Sequence, residues 1–119
     1  MDARTRGALG EVRAEQMLTE KGYRILARNA VFHGSEIDLI AEDGRVIVFI
    51  EVKMRRSARE GAGREAVTPA KQKKICKGAL YYLAKNGLMD RQARFDVVEV
   101  QPGGILHIEN AFVYQGPAF

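Results

Sequence analysis

Residues 35–53 constrain this chain more than any other stretch. Two alternating runs, 35–41 and 45–53, lie on either side of Glu42-Asp43-Gly44. A period of two is the mark of a strand, and Asp-Gly between two such runs is a hairpin signal. With Asp43-Gly44 as a two-residue turn, residue 42 faces 45, residue 38 faces 49 and residue 36 faces 51. Ile37, Leu39, Ala41, Val46, Val48, Ile50 and Val52 then share a wholly apolar face, which must be core. The opposite face carries Glu36, Asp38, Glu51 and Lys53, so carboxylates and an amine converge at the open end of the hairpin. Glu36 facing Glu51 would be destabilising. A divalent cation between them would remove the conflict.

The flanking sequence supplies helices and further strands. Residues 7–22 read as a helix with Leu9, Val12, Met17 and Leu18 as its apolar stripe, Asp2 or Thr5 as cap and Gly22 as stop. Residues 23–32 read as a first strand. Residues 54–68, rich in Arg and Gly, read as a mobile loop. Thr68-Pro69 starts a second helix that Asn86-Gly87 ends, with Ile75, Ala79, Tyr82 and Leu83 buried. Residues 94–100 and 105–114 are strands joined at Pro102-Gly103-Gly104. The order helix, three strands, helix, two strands points to an α/β or α+β layer with helices on a central sheet.

At 119 residues the chain is expected to be a single domain over 1–119 with one core. Its net charge of +4 fits an acidic partner. No apolar run approaches the roughly 18 residues of a membrane span, and no signal-like stretch opens the chain. Cys76 is the only cysteine, so no internal disulfide can form. These features together point to the cytoplasm and to no membrane partner.

Asp38, Glu51 and Lys53 are residue types that phosphodiester hydrolysis needs: carboxylates to hold Mg²⁺ or Mn²⁺, and a lysine to orient water and offset charge. From the residues alone, Glu36 fits either an extra ligand or a solvated carboxylate at a strand end. Arg55, Arg56, Arg59 and Arg64, with Lys71, Lys73 and Lys74 at the start of the second helix, read as a phosphate-binding rim. His33 reads as a polar strand end, His107 as surface, Cys76 as a buried small hydrophobe, and Tyr81 and Tyr82 as packing residues. Asp96 reads as a partner of Arg94 or a cap of the sheet edge, with no catalytic role.

The spacing of Asp38, Glu51 and Lys53 resembles the PD-(D/E)XK signature of the restriction-endonuclease-like superfamily. Gly10-Glu11, Arg28-Asn29, residues 36–41 and 49–53, Ala66-Val67, Lys71-Gln72, Tyr82-Leu83 and residues 94–98 resemble the bacterial YraN-like family. That family is similar in fold to archaeal Holliday-junction resolvases. The resemblance implies a three-layer α/β core, a central mixed sheet flanked by helices in the order αβββαβ, with a C-terminal strand added. It makes Asp38, Glu51 and the Val52 backbone carbonyl metal ligands, Lys53 the catalytic lysine, and Glu11 and Gln72 further site positions. Glu11 also fits an ordinary acid near a helix start. Where the family has Gly before the position of Glu36, this chain has Ser35, which puts the local turn in question.

Two functions follow as expectations. One is a metal-dependent nuclease acting on branched or damaged DNA. The other is a nucleic-acid-binding module in repair or processing that keeps the fold without turnover. Symmetrical cleavage of two strands would call for a homodimer, with the apolar segment 105–119 as its interface.

Overall fold

The computed structural model describes residues 3–55 and 67–114. Helix α1 (Ala3–Glu20) is followed by strands β1 (Arg24–Phe32), β2 (Ser35–Asp43) and β3 (Val46–Met54), helix α2 (Pro69–Lys85), and strands β4 (Ala93–Gln101) and β5 (Gly104–Phe112). The strands form a single sheet in the order β1-β2-β3-β4-β5. Only β3 and β4 are parallel. The connection between them carries α2, as a parallel pair requires.

The helices cover opposite faces, giving the three layers. Ala14 and Leu18 of α1 pack with Leu39, Ala41, Val48, Ile50, Val98 and Val100. Ile75, Cys76, Ala79 and Leu83 of α2 pack with Ile37, Ile40, Ile47, Phe49, Phe95 and Val97. The hairpin is therefore buried on both faces, not on one. Burying side chains such as Ile47 and Phe49 beneath α2 is worth about 1.5–3 kcal/mol each. The polar face read from the sequence is polar only at its open end.

Two local expectations are corrected. The buried stripe of α1 is Gly10, Ala14 and Leu18, while Leu9 and Val12 are 44% and 51% exposed. Small residues let the helix lie close to the sheet; a Cβ at Gly10 would stand 3.2 Å from Met54 Sδ. The hairpin turn is Gly44-Arg45, because Asp43 pairs with Val46. Gly44 has φ +60 and Arg45 is not left-handed, which suits a type II′ turn with Gly first. The register moves by two residues. Each residue of β3 keeps its face, but the position opposite Asp38 becomes Glu51, next beyond the Leu39–Ile50 pair.

Helix α2 matches its sequence signals. Thr68 Oγ1 accepts from the Lys71 N–H at 3.2 Å, Pro69 opens the helix and Asn86 caps its end. Cys76 is fully buried. The loop expected over 54–68 falls mostly on residues 56–66, outside the described residues.

Candidate active site

The site forms where β2 turns over. Ile37 packs beneath α2, yet Leu39 packs beneath α1, so strict alternation fails at the intervening Asp38. The β1–β2 ladder pairs Arg28 with Leu39 and Ala30 with Ile37. Between them Asn29 takes φ +48, a left-handed conformation that Asn tolerates better than most residues. The local twist leaves Asp38 half-buried at the open end of the hairpin, next to β3.

Asp38 and Glu51 are tied to each other's strands. The Val52 N–H donates to Asp38 Oδ2 at 2.8 Å, and the Asp38 N–H donates to Glu51 Oε2 at 3.3 Å. Glu51 is only 3% exposed. Burial and the neighbouring Asp38 charge push its carboxyl from 4.5 up to about 7. Burial also raises Asp38, against the hydrogen bond from Val52 and the charge of Lys71. The cation that partly offsets this pair is Lys71, whose Nζ lies 3.2 Å from Glu51 Oε1.

The basicities of Lys53 and Lys71 separate. Burial, then the bond and charge of Lys71, lower Lys53 below an ordinary lysine. Burial opposes the ammonium of Lys71 as well, but its bonds to Lys53 and Glu51 outweigh that and raise it. The two amines are thus pulled apart, Lys53 downward and Lys71 upward. A cleft of about 410 Å³ opens here, lined by Ser35, Glu36, Asp38, Glu51, Lys71 and Lys74 among others.

The remaining sequence candidates fall at various distances from this centre. Glu36 is exposed on the cleft wall. Glu11 is raised by burial and then by the Asp38 charge, with Asn29 bonding its side chain and Glu36 also acting on it; it belongs to the same acidic neighbourhood. Gln72 Nε2 donates to the Val67 carbonyl at 2.8 Å, and Lys71, not Gln72, lines the cleft. Lys73 and Lys74 are exposed on α2. Arg55 forms an ion pair with Glu99 at 3.3 Å and is largely covered. Arg56, Arg59 and Arg64 lie outside the described residues.

Sequence reasoning assigned Lys71 to the rim and did not foresee its contact with Glu51; a lysine three residues after a helix cap gives no signal of the strand it will reach. It also misplaced His107. That side chain is 5% exposed, with Nε2 2.8 Å from Asp96 Oδ2. Asp96 is fully buried and also takes Arg94 Nε at 2.9 Å, Arg94 Nη2 at 3.0 Å and the Asn110 N–H at 3.1 Å. Arg94 in turn donates to the Tyr23 hydroxyl at 2.7 Å. This network lies on the α1 side of the sheet and joins β4 to β5. Every polar atom of Asp96 is engaged, so it reads as structural.

The donor set suits a hard cation. Among the described residues no three His, Cys, Asp or Glu side chains form a ligand cluster. Mg²⁺ is commonly held by one or two carboxylates with water completing its shell, and Asp38 with Glu51 meets that requirement. Among the described residues no helix is long and apolar enough to cross a membrane.

Comparison with known proteins agrees with the fold. Residues 10–100 match the model of Uncharacterised protein family UPF0102. A UPF0102 protein of Symbiobacterium thermophilum is 53% identical over 111 residues, covering 89% of this chain and 94% of its own. One from Geobacter sulfurreducens is 45% identical over 111 residues, covering 89% and 87%. Among solved structures, Hjc, a Holliday junction resolvase from the archaeal hyperthermophile Archaeoglobus fulgidus, superposes with a TM-score of 0.52 at 18% identity, covering 87% of this chain and 76% of that one. At that identity the likeness concerns the fold.

Proposed function

The chain belongs to the UPF0102 family, and we propose that it is a cytoplasmic nuclease that uses Mg²⁺ or Mn²⁺ to hydrolyse phosphodiester bonds in DNA. The observation that carries this reading is the meeting of Asp38 and Glu51, both substantially buried, at a cleft edged with lysines. Two carboxylates so placed disfavour their own negative charge, and a structural role gives no reason to keep them together. Branched DNA enters the proposal through the resolvase that shares the fold.

The residues divide the work as follows. Asp38, Glu51 and the Val52 carbonyl hold the cation, with Glu11 and Glu36 as further acids around it. A divalent cation there supplies charge neutralisation for the phosphate and activation of the attacking water. Lys53, whose basicity burial and Lys71 lower, would orient that water and offset charge developing at the phosphate. Lys71 and Lys74 face the phosphate from α2, and Gln72 sits beside them. Cutting two strands symmetrically uses two copies of the chain.

Incubation with single-stranded, duplex, flap and four-way-junction DNA, in Mn²⁺ and in Mg²⁺, tests the reading. Cleavage of at least one substrate is expected, abolished in Asp38→Ala. Failure on the whole panel in both metals favours the second reading, a nucleic-acid-binding module without turnover. One observation leans that way: Lys71 already sits on Glu51 and supplies a cation without any metal. A melting temperature unmoved by millimolar Mg²⁺ or Mn²⁺ would remove the metal from either reading.

A further inference from the structure

The two neighbouring tyrosines of α2 have different surroundings. Tyr82 is half-buried and meets Phe32 and Phe49 edge-on, at 6.2 and 6.0 Å between ring centres. Tyr81 is 43% exposed. Its ring lies against the exposed ring of His33, with centres 4.4 Å apart and planes 32° from parallel. No core packing accounts for the pair.

His33 reaches Tyr81 because the β1–β2 turn is clamped onto α2. His33 and Gly34 have φ +49 and +81, the double left-handed pattern of a type I′ turn. Few non-glycine residues take such a conformation, and histidine is among those that do so most readily. Ser35 Oγ donates to the Lys74 carbonyl at 2.5 Å. Gly78 makes room for the turn: a Cβ there would stand 2.9 Å from Ser35 Oγ and 3.3 Å from Ile37 Cδ1. The ring pair is therefore held by the backbone and not by chance contact of two loose side chains.

Its location connects it to the cleft. Gly34, Ser35 and Lys74 line the cleft wall. Tyr81 lies about 15 Å along the axis of α2 from Lys71, at roughly 1.5 Å per residue. Exposed Lys74 and Lys77 lie between them. A path of positive charge thus leads from the carboxylates to an open aromatic surface.

We propose that the His33–Tyr81 pair is a stacking platform for one unpaired nucleobase, a few nucleotides from the phosphate held at Asp38 and Glu51. Every base has a π-face that aromatic side chains can take, whatever the sequence. Bases inside a duplex already stack on their neighbours, so only an unpaired base can use the platform. Flaps and single-stranded arms would then be preferred over continuous duplex. This inference rests on the proposed nuclease or nucleic-acid reading and names its substrate class.

The test compares binding to a blunt duplex and to the same duplex with a single-stranded arm, without divalent metal, so that cleavage does not intervene. A 2-aminopurine is placed at successive arm positions. Wild-type protein should quench it at one position. Tyr81→Ala should abolish that quench and weaken arm binding about tenfold, leaving blunt-duplex affinity unchanged. Tyr81→Phe keeps the ring and should behave as wild type. His33→Asn tolerates the left-handed turn and should weaken arm binding in the same direction. Tyr81→Ala and His33→Asn binding arm DNA like wild type would overturn the platform alone, as would an equal loss on blunt duplex. Wild-type protein that binds neither DNA would overturn the proposed function and the platform together.

Discussion

Glu51 carries more of the site's chemistry than its neighbours, because it is the most buried of the acids around the cleft. In the metal-free protein its carboxyl is raised from 4.5 to about 7, so folding favours the protonated form. That contribution to stability is complete below 4.5 and is lost as pH rises through about 7. Asp38 is raised as well and acts with the same sign. The melting temperature of metal-free protein should therefore fall by a few degrees between about pH 5 and pH 8. Glu51→Gln should flatten the fall, and a profile identical to wild type would place Glu51 in a different environment. Added Mg²⁺ requires the ionised form, so its stabilising effect should grow over the same window. The lysines have separable roles. Lys71→Met removes the ammonium that competes for Glu51, so calorimetry should show Mn²⁺ binding several-fold tighter, while Lys74→Met, whose side chain pairs with no carboxylate among the described residues, should not match it. Lys53→Ala should lower turnover on the order of a hundredfold with DNA affinity nearly intact. Equal cleavage by wild type and Lys53→Ala would show that the active amine lies elsewhere.

At the scale of elements, legibility followed how local the determining signal was. Helix α2 was readable from end to end, because Thr68, Pro69, Asn86 and Gly87 each act within a few residues of where they stand. The hairpin was readable in its faces but not in its register: Asp43-Gly44 and Gly44-Arg45 both fit a two-residue turn, and only pairing along the strands chooses between them. Helix α1 misled because large apolar residues drew the stripe, whereas the sheet selected Gly10 and Ala14 for their small size. The candidate site follows the same rule. Asp38, Glu51 and Lys53 lie close in sequence and could be grouped by spacing. Lys71, Asn29 and the bond between Asp96 and His107 depend on contacts across the sheet or onto it. The close approach of α2 to β2 yields its own prediction. Gly78→Ala drives a Cβ to 2.9 Å from Ser35 Oγ, whose hydrogen bond to α2 would have to break. Denaturant unfolding should show a loss of about 1–3 kcal/mol. Gly10→Ala meets only the flexible thioether of Met54, at 3.2 Å, and gains up to about 1 kcal/mol of helix propensity. It should be close to neutral, and an equal loss at both positions would mean that α2 does not pack on β2 as closely as described.

For the whole molecule, the topology decides which charges are available to a polyanion. The chain carries 19 Lys and Arg against 15 Asp and Glu, but several cations are committed internally. Arg94 is bound to Asp96, and Arg91 and Arg24 to Glu42. Arg55 is the instructive case, since it stands in the basic run that sequence suggests as a phosphate rim. Its guanidinium lies 3.3 Å from Glu99, which is itself 3% exposed. Among the described residues Glu99 Oε2 has no hydrogen-bond partner. Arg55→Ala would leave a buried carboxylate without its counter-charge, a loss of about 3–5 kcal/mol, so weaker DNA binding by that variant would report unfolding as much as lost contact. Lys73 and Lys74 avoid the difficulty: both are exposed on α2, on the helix that borders the cleft. Each phosphate contact releases counterions, so the slope of log affinity against log salt counts contacts. Lys73→Ala with Lys74→Ala should reduce the slope by about 2 and weaken binding to every DNA sequence alike, with the melting temperature unchanged. Fluorescence anisotropy across a salt series measures both quantities. An unaltered slope would place the phosphate-binding surface away from α2 and its cleft, and would separate the DNA contact from the carboxylates of Asp38 and Glu51.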